Sequence, residues 1–306
     1  PLVLPAATPR RVDADALARF FEHPVRTFVQ QRLLVYLGQE AEPLPVRQPL
    51  ELDHLENWKI GDRLLRHVLA GADPDTVQRA LGRSGDLPPG ALGRFEYLAI
   101  RPQAEEIAAA ARHAAPACAP LAIDHVIDGT HVTGVLRDLW ADAHRRVQFG
   151  RAGHASEMGF WVRHLLLNCF APDGYPRVSR LVARDSGTRA VRIELAPVDG
   201  AAGCLETLLE LYWQGLERPL PFFRSASAAY AQHLQKHPAD GDGALAAAGL
   251  KYSPSGDEAY GDRDDAYVRQ VFGAGDLREI LPDGGAEFAR VALQIWGPLL
   301  AVRREA

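Results

Sequence analysis

The strongest constraint on the fold is a change of hydrophobic period between residues 121 and 195. Alternating apolar and polar residues, the pattern of a half-buried strand, are confined to this region. The segments "LAIDHVID", "THVTGVLRDLW" and "RRVQFG" predict a three-stranded meander, and residues 175–197 predict a second hairpin with "DSGT" at its turn. Helical periods precede, separate and follow these strands. The sequence therefore predicts an α+β fold in which a central sheet is flanked by helices.

Local signals mark several helix ends. Asp13 is a predicted N-cap, and Pro24 suits the first turn of a second helix. Asp73 is expected at the start of a later helix. An alanine-rich helical stretch follows, with a predicted interruption at Pro102. Loops are predicted at 42–49 and 253–265, and further helices at about 60–70, 74–82, 156–170, 201–216 and 286–298.

Composition places the chain among globular proteins. Its 306 residues are 47% apolar and 24% charged, and no apolar run is long enough to span a membrane. Cys118, Cys169 and Cys204 are widely spaced and odd in number, which disfavours a disulfide framework and favours a reducing cytoplasm. The net charge of −5 argues against a protein wholly dedicated to nucleic acid. The Pro/Ala-rich lead-in from Pro1 indicates a piece of a longer chain.

The stretch "VTGVLRDLWADAHRRVQFGRAG" (132–153) has the shape of a metal-dependent nuclease hairpin. Such a hairpin places an Asp near the end of its first strand and acid-x-Lys on its second. Here Arg137 stands where the Asp is needed, and Gln148 and Gly150 occupy positions that would carry the acid and the lysine. Because Mg²⁺ requires converging oxygen ligands, we predict no catalytic residues and no metal at this hairpin.

The sequence also offers residues for two other kinds of site. An active nuclease with a relocated metal site would draw on Asp124, Asp128 or Glu157. The histidines show no metal-ligand spacing, and His164 lies off the predicted apolar face of its helix. Surface or hydrogen-bonded histidines are therefore the preferred interpretation.

Arginines cluster around the second half of the strand region. Together they would form a basic sheet edge that follows DNA phosphates, unless acids such as Asp138, Asp185 and Glu194 balance them. Phe222 and Phe223 would stack on bases or on a partner protein if exposed, but core packing is commoner for such residues. The candidate DNA-binding residues are Arg145, Arg146, Arg151, Arg163, Arg177, Arg180, Arg184 and Arg192.

An ordered series of segments resembles the C-terminal region of RecC, the gamma chain of exodeoxyribonuclease V. The segments are "LARFFEHPVRTFVQQRLLVYL", "LELDHLENWKIGDRLL", "GDLPPGALG", "VIDGTHVTGVL" and "MGFWVRHLLLNCF", followed by the weaker "GLERPLPFF" and "DAYVRQVFG". The resemblance spans nearly all of the chain, although no single motif is specific.

The resemblance implies a PD-(D/E)XK nuclease-like fold that has lost its catalytic residues. It also implies a place in the RecBCD helicase-nuclease with RecB and RecD, where RecC receives a duplex end, helps to split the strands and guides one of them. ATP and Mg²⁺ would belong to those partner subunits, and this region would need no cofactor. We expect an N-terminal helical subdomain (1–117), a nuclease-like α/β core (118–218) and a C-terminal helical segment (219–306), integrated into one domain. A protein-interaction module without DNA contact is the third hypothesis, and it predicts a large apolar patch.

Overall fold

The computed structural model of the chain describes residues 10–37, 53–185, 187–255 and 260–305. The loop predicted at 42–49 lies outside these residues, as do residues 256–259 of the predicted acidic loop. The helices are α1 (Ala14–Glu22), α2 (Pro24–Arg32), α3 (His54–Leu69), α4 (Pro74–Ser84), α5 (Ala91–Ala110), α6 (His154–Phe170), α7 (Ala201–Glu217), α8 (Arg224–Lys236), α9 (Gly241–Tyr252), α10 (Ala266–Phe272), α11 (Leu277–Ile280) and α12 (Ala286–Val302). The strands are β1 (Arg11–Asp13), β2 (Leu121–Ile127), β3 (Thr130–Leu136), β4 (Leu139–Trp140), β5 (Ala143–Arg151), β6 (Ser179–Arg184), β7 (Ala190–Leu195) and β8 (Arg303–Glu305).

The strands form two sheets, so the predicted three-stranded meander is wrong. Strands β2 and β3 form a hairpin that is joined by β1, in the order β1-β3-β2. Strand β5 belongs instead to a five-stranded sheet of order β4-β5-β6-β7-β8. The chain leaves the first sheet at Asp138, whose φ of 57° bends the backbone before β4. The α+β class and the hairpin of β6 and β7 are as predicted.

Helix α6 connects the parallel strands β5 and β6 and crosses the main core. It is buried on nearly every side, so the expectation that His164 lies off the buried face is wrong: its side chain is completely enclosed. Helices α1 and α7 pack against α6, and apolar residues of β2, β3, β6 and β7 share its core, which requires apolar residues around most of its circumference. The main core draws residues from all three predicted regions of the chain.

Helices α3 and α5 cover the opposite face of the five-stranded sheet, α4 packs against both of them, and the three helices form a second apolar cluster with the sheet. Helix α5 runs unbroken from Ala91 to Ala110, so the predicted interruption at Pro102 is wrong. Pro102 lies on the exposed side, where water can solvate the carbonyl that loses its donor. Capping at α1 and α4 follows the prediction, because Asp13 and Asp73 accept backbone hydrogen bonds at the starts of these helices.

The C-terminal helices form a third cluster. Phe223 packs among Tyr252, Phe272 and Phe288, and Phe222 belongs to the main core, so neither phenylalanine is exposed for stacking. Helix α12 contributes to both the main and the third cluster. Within the described ranges, no helix is both long enough and apolar enough to cross a bilayer.

Candidate nucleic-acid interface

Most of the candidate arginines surround β5 and β6, where two of them share a carboxylate at one end of the sheet. Arg145 and Arg180 are neighbours across the parallel pair, and both donate to Asp142. Arg180 also donates through Nε to Glu194 at 2.8 Å. Burial favours a raised pKa for Asp142, but hydrogen bonds and charge from the two arginines lower it on balance. This end of the sheet is therefore a network of paired charges rather than a bare cationic face.

Two further arginines attach helix α5 to the sheet. Arg184 donates through Nη1 to Gln103 Oε1 at 2.7 Å, and its guanidinium lies 5.4 Å from the centre of the Phe149 ring. Arg192 donates through Nε to the carbonyl oxygen of Ala110, 2.9 Å away, in the last turn of α5. These contacts lie on the sheet face that the helices cover, so they contribute to packing.

Arg177 binds the C-terminal end of α6. Its Nη1 donates to the carbonyl oxygen of Asn168 at 2.8 Å, and Nη2 donates to that of Ala171 at 2.6 Å. A cation at the end of a helix compensates the carbonyl groups that lack helical donors. The guanidinium of Arg177 is therefore already bound to backbone carbonyl groups at the end of α6.

Arg146 and Arg151 are the least committed of the set. Arg163, beside Arg146, donates to the carbonyl oxygen of Gly159 at 2.8 Å and to Asp15 at 2.7 Å. Neither Arg146 nor Arg151 makes a side-chain hydrogen bond or ion pair with another described residue. Burial, and then the charge of Arg163, lowers the pKa of Arg146. These two side chains have donors free for an external anion.

The three residues predicted to stand at degenerate nuclease positions carry no carboxylate. Arg137 is exposed at the bend between β3 and β4, where the chain passes from one sheet to the other. The single hairpin predicted over residues 132–153 is therefore wrong, because only Leu139 and Trp140 of its first strand pair with β5. Gln148 donates through Nε2 to the backbone oxygen of Arg151 at 2.9 Å, where the pairing of β5 with β6 shifts register. Gly150 faces α3, and a β-carbon there would lie 3.3 Å from Nε1 of Trp58. A guanidinium and a residue without a side chain supply no oxygen ligand, so these positions do not fit Mg²⁺.

The acids considered for a relocated metal site are engaged separately. Asp124 on β2 pairs with His131, and Asp128 occupies the β2–β3 turn with φ of 43°. Glu157, in the first turn of α6, is buried and accepts from Arg303 at 2.8 Å. Among residues 10–37, 53–185, 187–255 and 260–305, no group of three or more His, Cys, Asp or Glu side chains is arranged to hold a metal.

A buried polar cluster under β5 and β6 was not anticipated. His164 Nε2 lies 3.0 Å from the carbonyl oxygen of Ala196, which can only accept, so Nε2 carries the proton. Its Nδ1 then accepts from the Ser179 hydroxyl at 2.8 Å, and that hydroxyl oxygen accepts from His144 Nδ1 at 3.3 Å. Burial lowers the pKa of His144 to about 3 and that of His164 to about 4. The neutral imidazoles of this cluster hold α6 against the sheet. The sequence feature that could have predicted it is a histidine, His164, at the start of the apolar run "HLLLNCF".

Comparison with known proteins identifies the family. A family model described as the RecC C-terminal domain matches residues 9–235. The RecBCD enzyme subunit RecC of Mycolicibacterium smegmatis is 31% identical over 234 residues, which are 75% of this chain and 21% of that protein. The RecBCD enzyme subunits RecC of Escherichia coli (28% over 227 residues, 74% of this chain and 20% of that protein) and Mycobacterium tuberculosis (30% over 236 residues, 75% and 21%) are also similar.

The chain spans about a fifth of the length of the curated relatives it matches. The family model, in contrast, covers well over half of this chain, including every strand of both sheets except β8. The chain therefore belongs to the RecC C-terminal domain family.

Proposed function

We propose that this chain is a non-catalytic domain of a RecBCD-type helicase-nuclease, in which it contacts DNA and docks partner subunits during recombinational repair of double-strand breaks. The observation that supports the proposal is that Arg137, Gln148 and Gly150 supply no carboxylate and no lysine at the positions where, on the resemblance, a PD-(D/E)XK nuclease would need metal-binding acids and a lysine. A nuclease-like frame with these substitutions retains its surfaces but lacks the ligands that cleavage requires.

Subunits equivalent to RecB and RecD are the proposed protein partners. The relatives are named as subunits of the RecBCD enzyme, which supports an assembly of this kind. In this proposal the partner subunits use ATP and Mg²⁺, this domain needs no cofactor, and the complex works in the cytoplasm. A duplex end, fork or single strand is the nucleic-acid ligand.

The eight arginines remain the proposed phosphate contacts. We expect those without an internal carboxylate partner to contribute most to DNA binding. Arg146 and Arg151 have free donors, whereas a phosphate would have to compete with Asp142 and Glu194 for Arg180. Because phosphate contacts by Arg release counterions, the free arginines should dominate the salt dependence of DNA binding.

The test is incubation of the 306-residue chain with an end-labelled forked duplex in Mg²⁺ and then Mn²⁺, with binding measured across a salt series. We expect an intact strand on a denaturing gel and a binding slope that flattens by about two in Arg146→Gln/Arg151→Gln. Arg145→Gln/Arg180→Gln, which removes two cations already paired with Asp142, is the matched control and should flatten the slope less.

Two results would overturn the proposal. Cleavage that disappears in Asp124→Ala or Asp128→Ala would establish a relocated nuclease site. A fork that does not bind at low salt would exclude DNA contact by this chain and leave the protein-interaction hypothesis.

A further inference from the structure

Trp58 is exposed, unlike the other tryptophans that the structure describes. Trp161, Trp213 and Trp296 are buried and Trp140 is partly covered, whereas Trp58 is 45% exposed. It lies in the second turn of α3, at the edge of the helix face that packs against β5. An indole in this position loses apolar burial, so its surface is available to a ligand.

The backbone of β5 holds this indole close to the sheet. Nε1 of Trp58 lies 3.3 Å from the point where a β-carbon of Gly150 would be. One turn later, Gly61 approaches the Phe149 ring so closely that a β-carbon there would lie 2.1 Å from it. Gly61 leaves room for the Phe149 ring, and Gly150 leaves room for the indole. The indole is thus supported on one side and exposed on another.

Two exposed cations are the chain neighbours of the residues in this contact. Lys59 follows Trp58 in sequence and Arg151 follows Gly150, and both side chains are exposed. Neither makes a side-chain hydrogen bond or ion pair to another residue of the described ranges. Further along α3, in contrast, Arg63 and Arg66 are paired with carboxylates, at 2.6 and 3.0 Å. Of these four cations, the two without a carboxylate partner are therefore those next to Trp58 and Gly150 along the chain.

We propose that Trp58 stacks on an unpaired base of a single DNA strand while Arg151 and Lys59 hold the neighbouring phosphates. An exposed aromatic ring between cations binds single strands with little sequence preference, because every base offers a π-face and every nucleotide a phosphate. This inference rests on the proposed function for its choice of DNA as the ligand, and it names the part of the strand that the surface recognises.

A protein helix fits this surface less well. Leu55 is exposed one turn before Trp58, but Asp62 and Arg66 follow on the same side of α3. A docked amphipathic helix needs apolar anchors over about two turns or more, and the charged residues end the apolar stripe after one. The cations match the repeating charge of a nucleic-acid backbone instead.

The test is the intrinsic fluorescence of the full chain during titration with a thymidine oligonucleotide about 20 nucleotides long. We expect stacking to quench Trp58 emission and Trp58→Ala to weaken binding roughly 5- to 150-fold. Trp58→Phe should lose the fluorescence change yet retain most of the affinity, because a phenyl ring still stacks. Arg151→Gln/Lys59→Gln should flatten the salt slope by about 1.4, which corresponds to two single-strand phosphates.

The control variant is Phe95→Ala, which removes an aromatic residue of 69% exposure from α5 and should leave the titration unchanged. Inorganic polyphosphate supplies charge without bases and should not quench. Equal quenching by polyphosphate, or unchanged oligonucleotide affinity in Trp58→Ala, would overturn the stacking proposal. If the forked duplex still binds in that case, the proposed function stands; if neither DNA binds, both proposals fall.

Discussion

At the scale of single residues, Gly61 and Gly82 test how closely helix and sheet are packed. A β-carbon at Gly61 would overlap the buried Phe149 ring, whereas one at Gly82 in α4 would meet no atom within 4 Å. We expect Gly61→Ala to lower the free energy of unfolding by about 1–3 kcal/mol, because the overlap forces repacking. Gly82→Ala should raise it by up to about 1 kcal/mol, because alanine favours a helix over glycine.

Urea unfolding monitored by circular dichroism measures both changes. Similar effects of the two substitutions would contradict the packing argument, since they share the same helix propensity gain. The comparison also probes the foundation of the Trp58 surface, because Gly61 sets the distance between α3 and β5.

Some residue roles could be predicted because their causes are local. Asp13 and Asp73 cap helices through backbone groups within three residues, and Pro24 begins α2 because its ring fits a first helical turn. The roles of the arginines could not be predicted in this way. Arg184, for example, contacts Gln103 across 81 positions of sequence.

At the scale of elements, the positions of the strands could be predicted from the sequence, but the pairing between strands could not. The alternation from residue 121 correctly locates strands, but pairing between β5 and β6 depends on the crossover of α6. Nothing in the local period separates a third meander strand from the first strand of a parallel pair. The exposure of Pro102 could not be predicted from the sequence either, because it depends on which side of α5 packs against the sheet.

The β5–α6–β6 unit should make stability depend on pH. His144, His154 and His164 have folded-state pKa values lowered by burial to about 3, 4 and 4, below the unfolded value near 6.5. Between about pH 6.5 and 4 the unfolded chain binds protons that the folded chain does not. Stability is therefore lost as pH falls through this window, with each histidine contributing at most about 1.4 kcal/mol per pH unit.

Unfolding free energies from urea titrations at pH 7.5, 5.5 and 4.5 give the slope. His144→Gln should reduce it by up to one proton even if the variant is less stable throughout. His237→Gln, which removes an exposed histidine in the segment after α8, is the control and should leave the slope unchanged. Equal slopes in all three proteins would show that the buried imidazoles do not govern acid sensitivity.

At the scale of the whole molecule, the region matched by the family model does not complete the core by itself. The match ends at residue 235, yet α12 inserts Val291, Ile295, Trp296 and Leu299 into the main cluster. Burial of four such side chains stabilises the fold by roughly 6–12 kcal/mol. This is comparable to the about 5–15 kcal/mol that stabilises a typical protein, so the later helices are integral to the fold.

Truncation after Gly285 should therefore abolish cooperative unfolding, because it removes α12 and exposes the cluster it fills. Truncation after Val302 is the matched control: it removes β8 and the Arg303 partner of buried Glu157 but leaves α12. We expect the second variant to unfold cooperatively with a loss of about 1–3 kcal/mol. Near-ultraviolet circular dichroism and thermal unfolding distinguish the two outcomes.

A cooperative transition in the shorter chain would mean that residues before α12 form a core of their own. Helix α12 would then be an appended helix free to serve as a docking element for a partner subunit.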